Sequence, residues 1–404
     1  MSKGFSFKIG RELGRGTLAR TGVITTPHGQ IKTPAFVVVG TGATVKALTP
    51  EQVSDTGAQA VLSNAYHLYL RPGHKLVEKA GGLSEFMQWP GPTFTDSGGF
   101  QVLSLGSGYK KVIDMQGDNL LAPRAERRAF VNDHGVTFYS HLDGSRHEFT
   151  AELSMQIQHA VGADIIFAFD ELTSLQDPYD YQAESIKRTH DWAERCLKEL
   201  AKLRKKHAAR PYQALFAVIQ GAQYEDLRRD TSRHLGAMPF DGYGIGGALQ
   251  KDKLGEIVRW ANEELPKDKP KHMLGISEPD DIFAAIEKGI DTFDCVSPTR
   301  VARNGAFYTY DGRFGITATK YQKDFGPLLE GCDCYTCQHY TRAYLSYLLR
   351  AGERTGATLM SIHNIRFIVR LVDDIRQSIE HDNFEELKQG WLSRYYGRGK
   401  LSTS

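Results

Sequence analysis

Ala214-Leu-Phe-Ala-Val-Ile-Gln-Gly221 is an apolar run closed by an amide and a glycine, and an amphipathic stretch, Tyr224–Leu235, follows at once. The unit recurs on both sides. Apolar runs at Ala35–Val39, Ala60–Leu62, Thr93–Thr95, Asp164–Phe169, Gly242–Ile245, His272–Leu274 and Thr292–Phe293 flank it. Helical patterns lie between most of them, at Glu51–Thr56, Ala151–Ala160, Tyr181–Lys206, Asp252–Glu264 and Pro279–Lys288. Strands alternating with helices predict a parallel sheet with helices outside it. Eight such runs fit an α/β fold of the closed (β/α)8 TIM-barrel type better than an open sheet.

Two regions break the alternation before residue 294. Residues 1–34, with Pro-His-Gly inside Thr21–Pro34, read as a β-hairpin lid on the barrel's bottom. A second hairpin, near 103–149, reads as an insertion within the barrel at 35–294. Residues 295–404 begin with a cysteine-rich turn and continue as helices Arg342–Arg350, Ile365–His381 and Asn383–Tyr396, which complete the barrel's outside.

At ~150 residues per domain, 404 residues suggest two to three domains. Hydrophobic residues at 41% and charged residues at 24% exclude a wholly disordered chain. Fifty Lys plus Arg against 48 Asp plus Glu leave +2, so a polyanionic partner would have to be met by local patches. No apolar stretch approaches the ~20 residues of a membrane span, so no membrane partner is expected. The start, Met1-Ser-Lys-Gly-Phe-Ser-Phe7, has no secretory apolar core. A cytoplasmic protein is expected. Three of the five cysteines, Cys332, Cys334 and Cys337, cluster, whereas Cys196 and Cys295 stand apart. That pattern suggests a metal in a reducing compartment rather than a disulfide framework.

In barrels of this type the chemistry sits at the C-terminal strand ends. Here those ends read Asn64; Asp96-Ser-Gly-Gly-Phe-Gln101; Asp170-Glu171; Gln220-Gly221; Gly246-Gly247; Gly275; and Asp294-Cys295. Carboxylates, an amide and repeated glycines converging on one rim point to a shared site. No His-x-His follows the early strands and no phosphate-binding Gly-x-x-x-x-Gly-Lys occurs. Gly242-Tyr-Gly-Ile-Gly-Gly247 matches the dinucleotide pattern, but its glycines occupy a strand rather than the turn after one. Carboxylates without a catalytic metal suit covalent and acid–base work at a glycosidic carbon.

Taken together, Thr95-Asp-Ser-Gly-Gly-Phe-Gln101, Phe169-Asp-Glu171, Gln220-Gly221, Gly246-Gly247, Phe293-Asp-Cys-Val-Ser-Pro-Thr-Arg300, Cys332-x-Cys334-x-x-Cys337 and His363 resemble the tRNA-guanine transglycosylases of bacterial type. The likeness runs from about Phe7 to Tyr396. It implies exchange of guanine at the first position of GUN anticodons for a 7-deazaguanine in queuosine modification, on a TIM barrel with an inserted zinc subdomain. By resemblance Asp294 is the nucleophile at the ribose anomeric carbon, and Asp96 manages protons for the departing and arriving bases. Guanine presents an N–H and an amino group side by side, a pair one carboxylate can accept, and Asp170 matches that position. Gln220 and the Gly247 N–H could serve the base carbonyl; Phe100 matches an aromatic stacking position, and Gly246, Ser97 and Leu274 join the base-binding set. Arg300, Arg303 and Asn64 match tRNA-contacting positions.

Cys332, Cys334 and Cys337, followed after 25 intervening residues by His363, offer three thiolates and an imidazole. Such a set closes a tetrahedral structural site for one Zn2+ per chain. His339 lies too close to Cys337 to complete the loop. The resemblance further implies a homodimer. Gly246-Gly-Ala-Leu-Gln-Lys-Asp252 and Leu172 depart from the usual family residues. The choice between 7-aminomethyl-7-deazaguanine and queuine is therefore open. A catalytically inactive tRNA-binding partner subunit is the alternative, against which stand the retained Asp96 and Asp294.

Overall fold

The computed structural model describes residues 4–14, 16–106, 129–247 and 250–397. The central part of the insertion read near 103–149, Ala248 after the paired glycines, and the basic end of the tail lie outside those residues. The chain begins with an antiparallel sheet of β1 (Ser6–Glu12), β2 (Arg20–Thr26) and β3 (Gly29–Thr33), the last two being the hairpin read from Thr21–Pro34. Then come β4 (Ala35–Val39), β5 (Val61–Ser63) and β6 (Thr93–Thr95). A second antiparallel sheet, β7 (Ala129–Val131), β8 (Gly135–Tyr139) and β9 (Arg146–Thr150), interrupts them. The series resumes with β10 (Ile165–Phe167), β11 (Ala214–Ile219), β12 (Gly242–Ile245), β13 (Lys271–Met273) and β14 (Thr292–Cys295).

Strands β4, β5, β6, β10, β11, β12, β13 and β14 close into one barrel in that order, every neighbouring pair parallel. This is the (β/α)8 barrel that the alternation predicts. Its interior is filled by Val37, Leu62, Phe94, Ile165, Phe167, Phe216 and Val218, all buried, and Ile24 and Ile31 of the first sheet join the same cluster. The glycines of β12 serve this packing. A Cβ on Gly242 would sit 2.5 Å from the Phe216 ring, and one on Gly244 2.8 Å from Phe167. The dinucleotide-like string is thus a bed for two aromatic rings.

Outer helices follow the local signals. Thr150 caps Ala151–Val161 by accepting from Leu153 N, and Gly162 ends that helix in a left-handed turn. The largest departure from sequence expectation is the helix Arg354–Glu380, which begins well before Ile365. Ser361, His363 and Asn364 are all buried on it. Asn364 donates to the carbonyls of Pro298 and Ala306 and accepts from Tyr308 N. Polar residues on the inward face hide the helical period from a hydrophobicity reading. A short helix, Ser297–Arg303, and a hairpin of β15 (Ala306–Thr309) and β16 (Gly312–Gly315) also follow the barrel. No described helix is long and apolar enough to cross a membrane.

Candidate active site and metal centre

Asp96 leaves the end of β6 and is held from the neighbouring exit of β5. Asn64 Nδ2 donates to its Oδ2 at 2.6 Å, and Ala65 N donates to Oδ1 at 2.8 Å. Burial pushes this carboxyl up to about 6 and the Asp294 charge adds to the shift, against the hydrogen bonds from Asn64, Ala65 and Gln101. A carboxyl that changes state there can give and take protons near neutrality.

Asp170, after β10, is 8% exposed. Ser97 Oγ donates to one of its oxygens at 2.9 Å and Gln220 Nε2 to the other at 2.6 Å. Burial raises it, also to about 6. The adjacent Glu171 belongs elsewhere: Arg188 Nε and the Tyr181 hydroxyl, each at 2.6 Å, hold it on the helical side. Of the two consecutive carboxylates only Asp170 joins Ser97 and Gln220.

Gln220, at the end of β11, spends its amide N–H on Asp170, while its Oε1 has no hydrogen-bond partner among the described residues. Gly247 lies against that oxygen. Its φ is +95°, and a Cβ there would come within 2.5 Å of Oε1. Only glycine meets both conditions. A Cβ on Gly246 would press on Leu274 and Val218 at 3.0 Å. Leu274 therefore backs the paired glycines. Phe100, at the start of the helix Gly99–Gly106, is 38% exposed, a ring with an open face.

Asp294 lies near the end of β14, and its Oδ1 accepts from His272 Nε2 at 3.0 Å and from Gly275 N at 3.4 Å. His272 is fully buried on β13, and its other ring nitrogen faces the Thr292 hydroxyl at 2.9 Å. Motif reading missed this histidine. The available signal was a polar residue inside a buried run whose register sets it beside Thr292, two residues before the aspartate. The helix Ser297–Arg303 follows immediately and carries Arg300, exposed, and Arg303, half-buried. Arg303 Nη1 has no partner among the described residues, and burial together with the Arg300 charge lowers its pKa. Of the positions matched to tRNA contact, Asn64 is engaged with Asp96, whereas the two arginines lie on the helix that follows the nucleophile candidate.

The second site lies outside the barrel. The sulfurs of Cys332, Cys334 and Cys337 stand 3.8, 3.7 and 3.3 Å from His363 Nδ1. All four ligand atoms fall within 4.8 Å of one another. Tetrahedral bonds of about 2.0–2.3 Å require ligand–ligand edges of roughly 3.3–3.8 Å, so the cluster fits a four-coordinate ion. His363 Nε2 faces the Tyr308 carbonyl at 2.8 Å, which fixes the proton there and leaves Nδ1 as donor to a metal. His339 is exposed and turned to the Tyr335 carbonyl, apart from the cluster.

Comparison with known proteins shows the family. The family model for Queuine tRNA-ribosyltransferase matches residues 15–397. A queuine tRNA-ribosyltransferase of Caldanaerobacter subterraneus subsp. tengcongensis is 44% identical over 384 residues, 94% of this chain and 95% of the relative. The Desulforudis audaxviator protein of that name is 44% identical over 393 residues, covering 96% and 98% of the two chains. A third, from Staphylococcus epidermidis, is 43% identical over 380 residues, 93% of each. With barrel, rim and cysteine cluster all in place, the chain belongs to the queuine tRNA-ribosyltransferase family.

Proposed function

We propose that the chain is a tRNA-guanosine(34) transglycosylase, exchanging guanine at the first position of GUN anticodons for a 7-deazaguanine through a covalent Asp294–ribose intermediate. The observation that carries the reading is the pairing at one rim of Asp294, held by one oxygen, with Asp96, a half-buried carboxyl that desolvation pushes up to about 6. Two carboxylates in unlike environments divide nucleophilic from acid–base work. An Asp294 oxygen attacks the anomeric carbon, the glycosidic bond breaks, and the departing base takes a proton from Asp96. The incoming base then loses its proton to Asp96 and displaces the carboxylate. Two inversions retain configuration.

The target base is flipped into the pocket, which costs least in a single-stranded loop. Asp170 accepts from its N–H and amino group. The second N–H of Gln220 and the Gly247 N–H serve its carbonyl, with Phe100 stacking on one face and Ser97, Gly246 and Leu274 shaping the wall. Arg300 and Arg303 take phosphates near the anticodon, and Asn64 meets the ribose while steadying Asp96. One Zn2+ per chain, held by Cys332, Cys334, Cys337 and His363, would be fully ligated by protein and would act as a structural cross-link between the cysteine turn and the helix Arg354–Glu380. We assign the protein to the cytoplasm as a homodimer. An exposed tyrosine ladder beside the cysteine turn supports the dimer. Tyr340 stacks on Tyr344 and Tyr344 on Tyr347, which is 62% exposed.

The test is incorporation of labelled guanine into unmodified GUN tRNA, with Asp294→Ala alongside. Exchange by the wild type alone is expected. Exchange by neither, from folded and metal-loaded protein that also fails with queuine, would favour the inactive partner subunit. Competition between 7-aminomethyl-7-deazaguanine and queuine then separates the two substrate readings.

A further inference from the structure

The two oxygens of Asp294 are not equivalent. Oδ1 takes the His272 Nε2–H at 3.0 Å and the Gly275 N–H at 3.4 Å, whereas no hydrogen bond reaches Oδ2 from the described residues. His272 has no freedom to do otherwise. It is fully buried, its ring packs between Phe94 and Phe167 at centroid distances of 5.5 and 5.3 Å, and Nδ1 faces Thr292 Oγ1 at 2.9 Å. If the Thr292 hydroxyl donates to Nδ1, the neutral ring must carry its proton on Nε2, where Asp294 needs a donor.

From this asymmetry we infer that His272 is a positioning residue that selects Oδ2 as the attacking oxygen and holds Oδ1 as the carbonyl of the glycosyl ester, so that the carboxylate leaves readily when the second base arrives. The inference rests on Asp294 as the nucleophile. In the first displacement an Oδ2 lone pair forms the bond to the anomeric carbon, and the glycosidic pair departs with the base, which is protonated by Asp96. In the second, the incoming nitrogen forms its bond, the C–Oδ2 pair returns to the carboxylate, and the nitrogen's proton passes to Asp96. The charge that reappears is shared by both oxygens. A donor already seated on Oδ1 favours carboxylate over ester without reorganisation. Its loss should leave the ester overpopulated and slow to resolve.

The experiment compares wild type, His272→Leu, His272→Gln and Thr292→Val with unmodified GUN tRNA and labelled guanine. It reads two quantities on the same samples: steady-state exchange and the fraction of enzyme trapped as covalent tRNA adduct on denaturing gels. A hydrogen bond to a charged group is worth roughly a factor of ten or more. His272→Leu should therefore raise the adduct-to-free ratio about tenfold while turnover falls. His272→Gln, which keeps an N–H donor, should recover most of the wild-type ratio, and Thr292→Val should shift it in the same direction by less. Thr292→Val carries the test should His272→Leu not fold. An adduct ratio that is unchanged, or that falls in step with turnover, overturns the role of His272. Adduct or exchange persisting in Asp294→Ala instead overturns the nucleophile assignment beneath it.

Discussion

The barrel rim and the cysteine cluster are built in opposite ways. The cluster draws its candidate ligands from one short stretch, Cys332 to His363, and its geometry follows from a turn facing a helix. The rim gathers single residues from the exits of β5, β6, β10, β11, β12, β13 and β14, none of which could find the others without the closed sheet. The cluster gathers four ligand atoms within 4.8 Å of one another, the spacing a bound cation would need. The rim instead holds Asp96 and Asp170 in burial that favours their neutral forms. On the proposed reading, one region serves stability and the other serves chemistry that costs stability.

The sharpest break of this comparison is Asp294→Asn. On the proposed mechanism it should lower exchange by at least about 10⁴-fold, since an amide cannot take the place of the attacking carboxylate. Melting temperature and metal content should stay near wild type. Loss of both together would show that the rim, too, is structural.

Cys334→Ser asks the converse. Cys334 and His363 are buried, and the helix bearing His363 packs on β4 and on the helix Ser297–Arg303. Loss of bound zinc and a fall in stability on the order of several kcal/mol are expected. Metal analysis and thermal melts would show both, while exchange per folded molecule at low temperature persists. An inactive but fully folded variant would put the metal in the chemistry and erase the distinction.

A smaller effect sharpens the rim itself. Phe100 is 38% exposed, so Phe100→Ala should leave melting unchanged. It should raise KM for guanine roughly tenfold, the worth of one base–aromatic stack. A matching drop in stability instead would make the ring a packing residue.

What the sequence discloses divides along the same line. The cysteine spacing names three ligands locally, and the polar run Ser361–Asn364, which hid the start of its helix, carries the fourth. The barrel is legible because eight buried strands repeat one pattern, although exits such as Glu171 cannot be sorted from Asp170 until Arg188 is seen to claim it. Candidate site residues become legible through resemblance, which points to groups expected to touch substrate. It is silent on the groups behind them. His272 behind Asp294 and the Ala65 N–H behind Asp96 are contacts between different strand exits, and no window of sequence contains both partners. Where one such helper was named, as with Asn64, its assigned role was tRNA contact, and its bond to Asp96 emerges only in three dimensions.

The mildest prediction tests whether the rim's burial truly costs stability. Asp170 ionises at about 6 in the folded chain, against ~3.9 when unfolded. Between those values the folded state binds more protons, so stability falls as pH rises, and above 6 the full cost of the buried charge is carried. Asp170→Asn removes the charge and keeps the shape. Its remaining oxygen can still accept from Ser97, and a flip of the Gln220 amide turns the partnerless Oε1 toward the new N–H. The variant should therefore be more stable than wild type by about 2 kcal/mol at pH 8. The gap should narrow through pH 6 and be small by pH 4, where the folded carboxyl is protonated and the unfolded one about half so. Base exchange should be lost at every pH, because an amide cannot accept from both the N–H and the amino group of guanine. Denaturant melts at the three pH values decide the matter: a gain that does not change with pH would come from packing and not from relief of a buried charge.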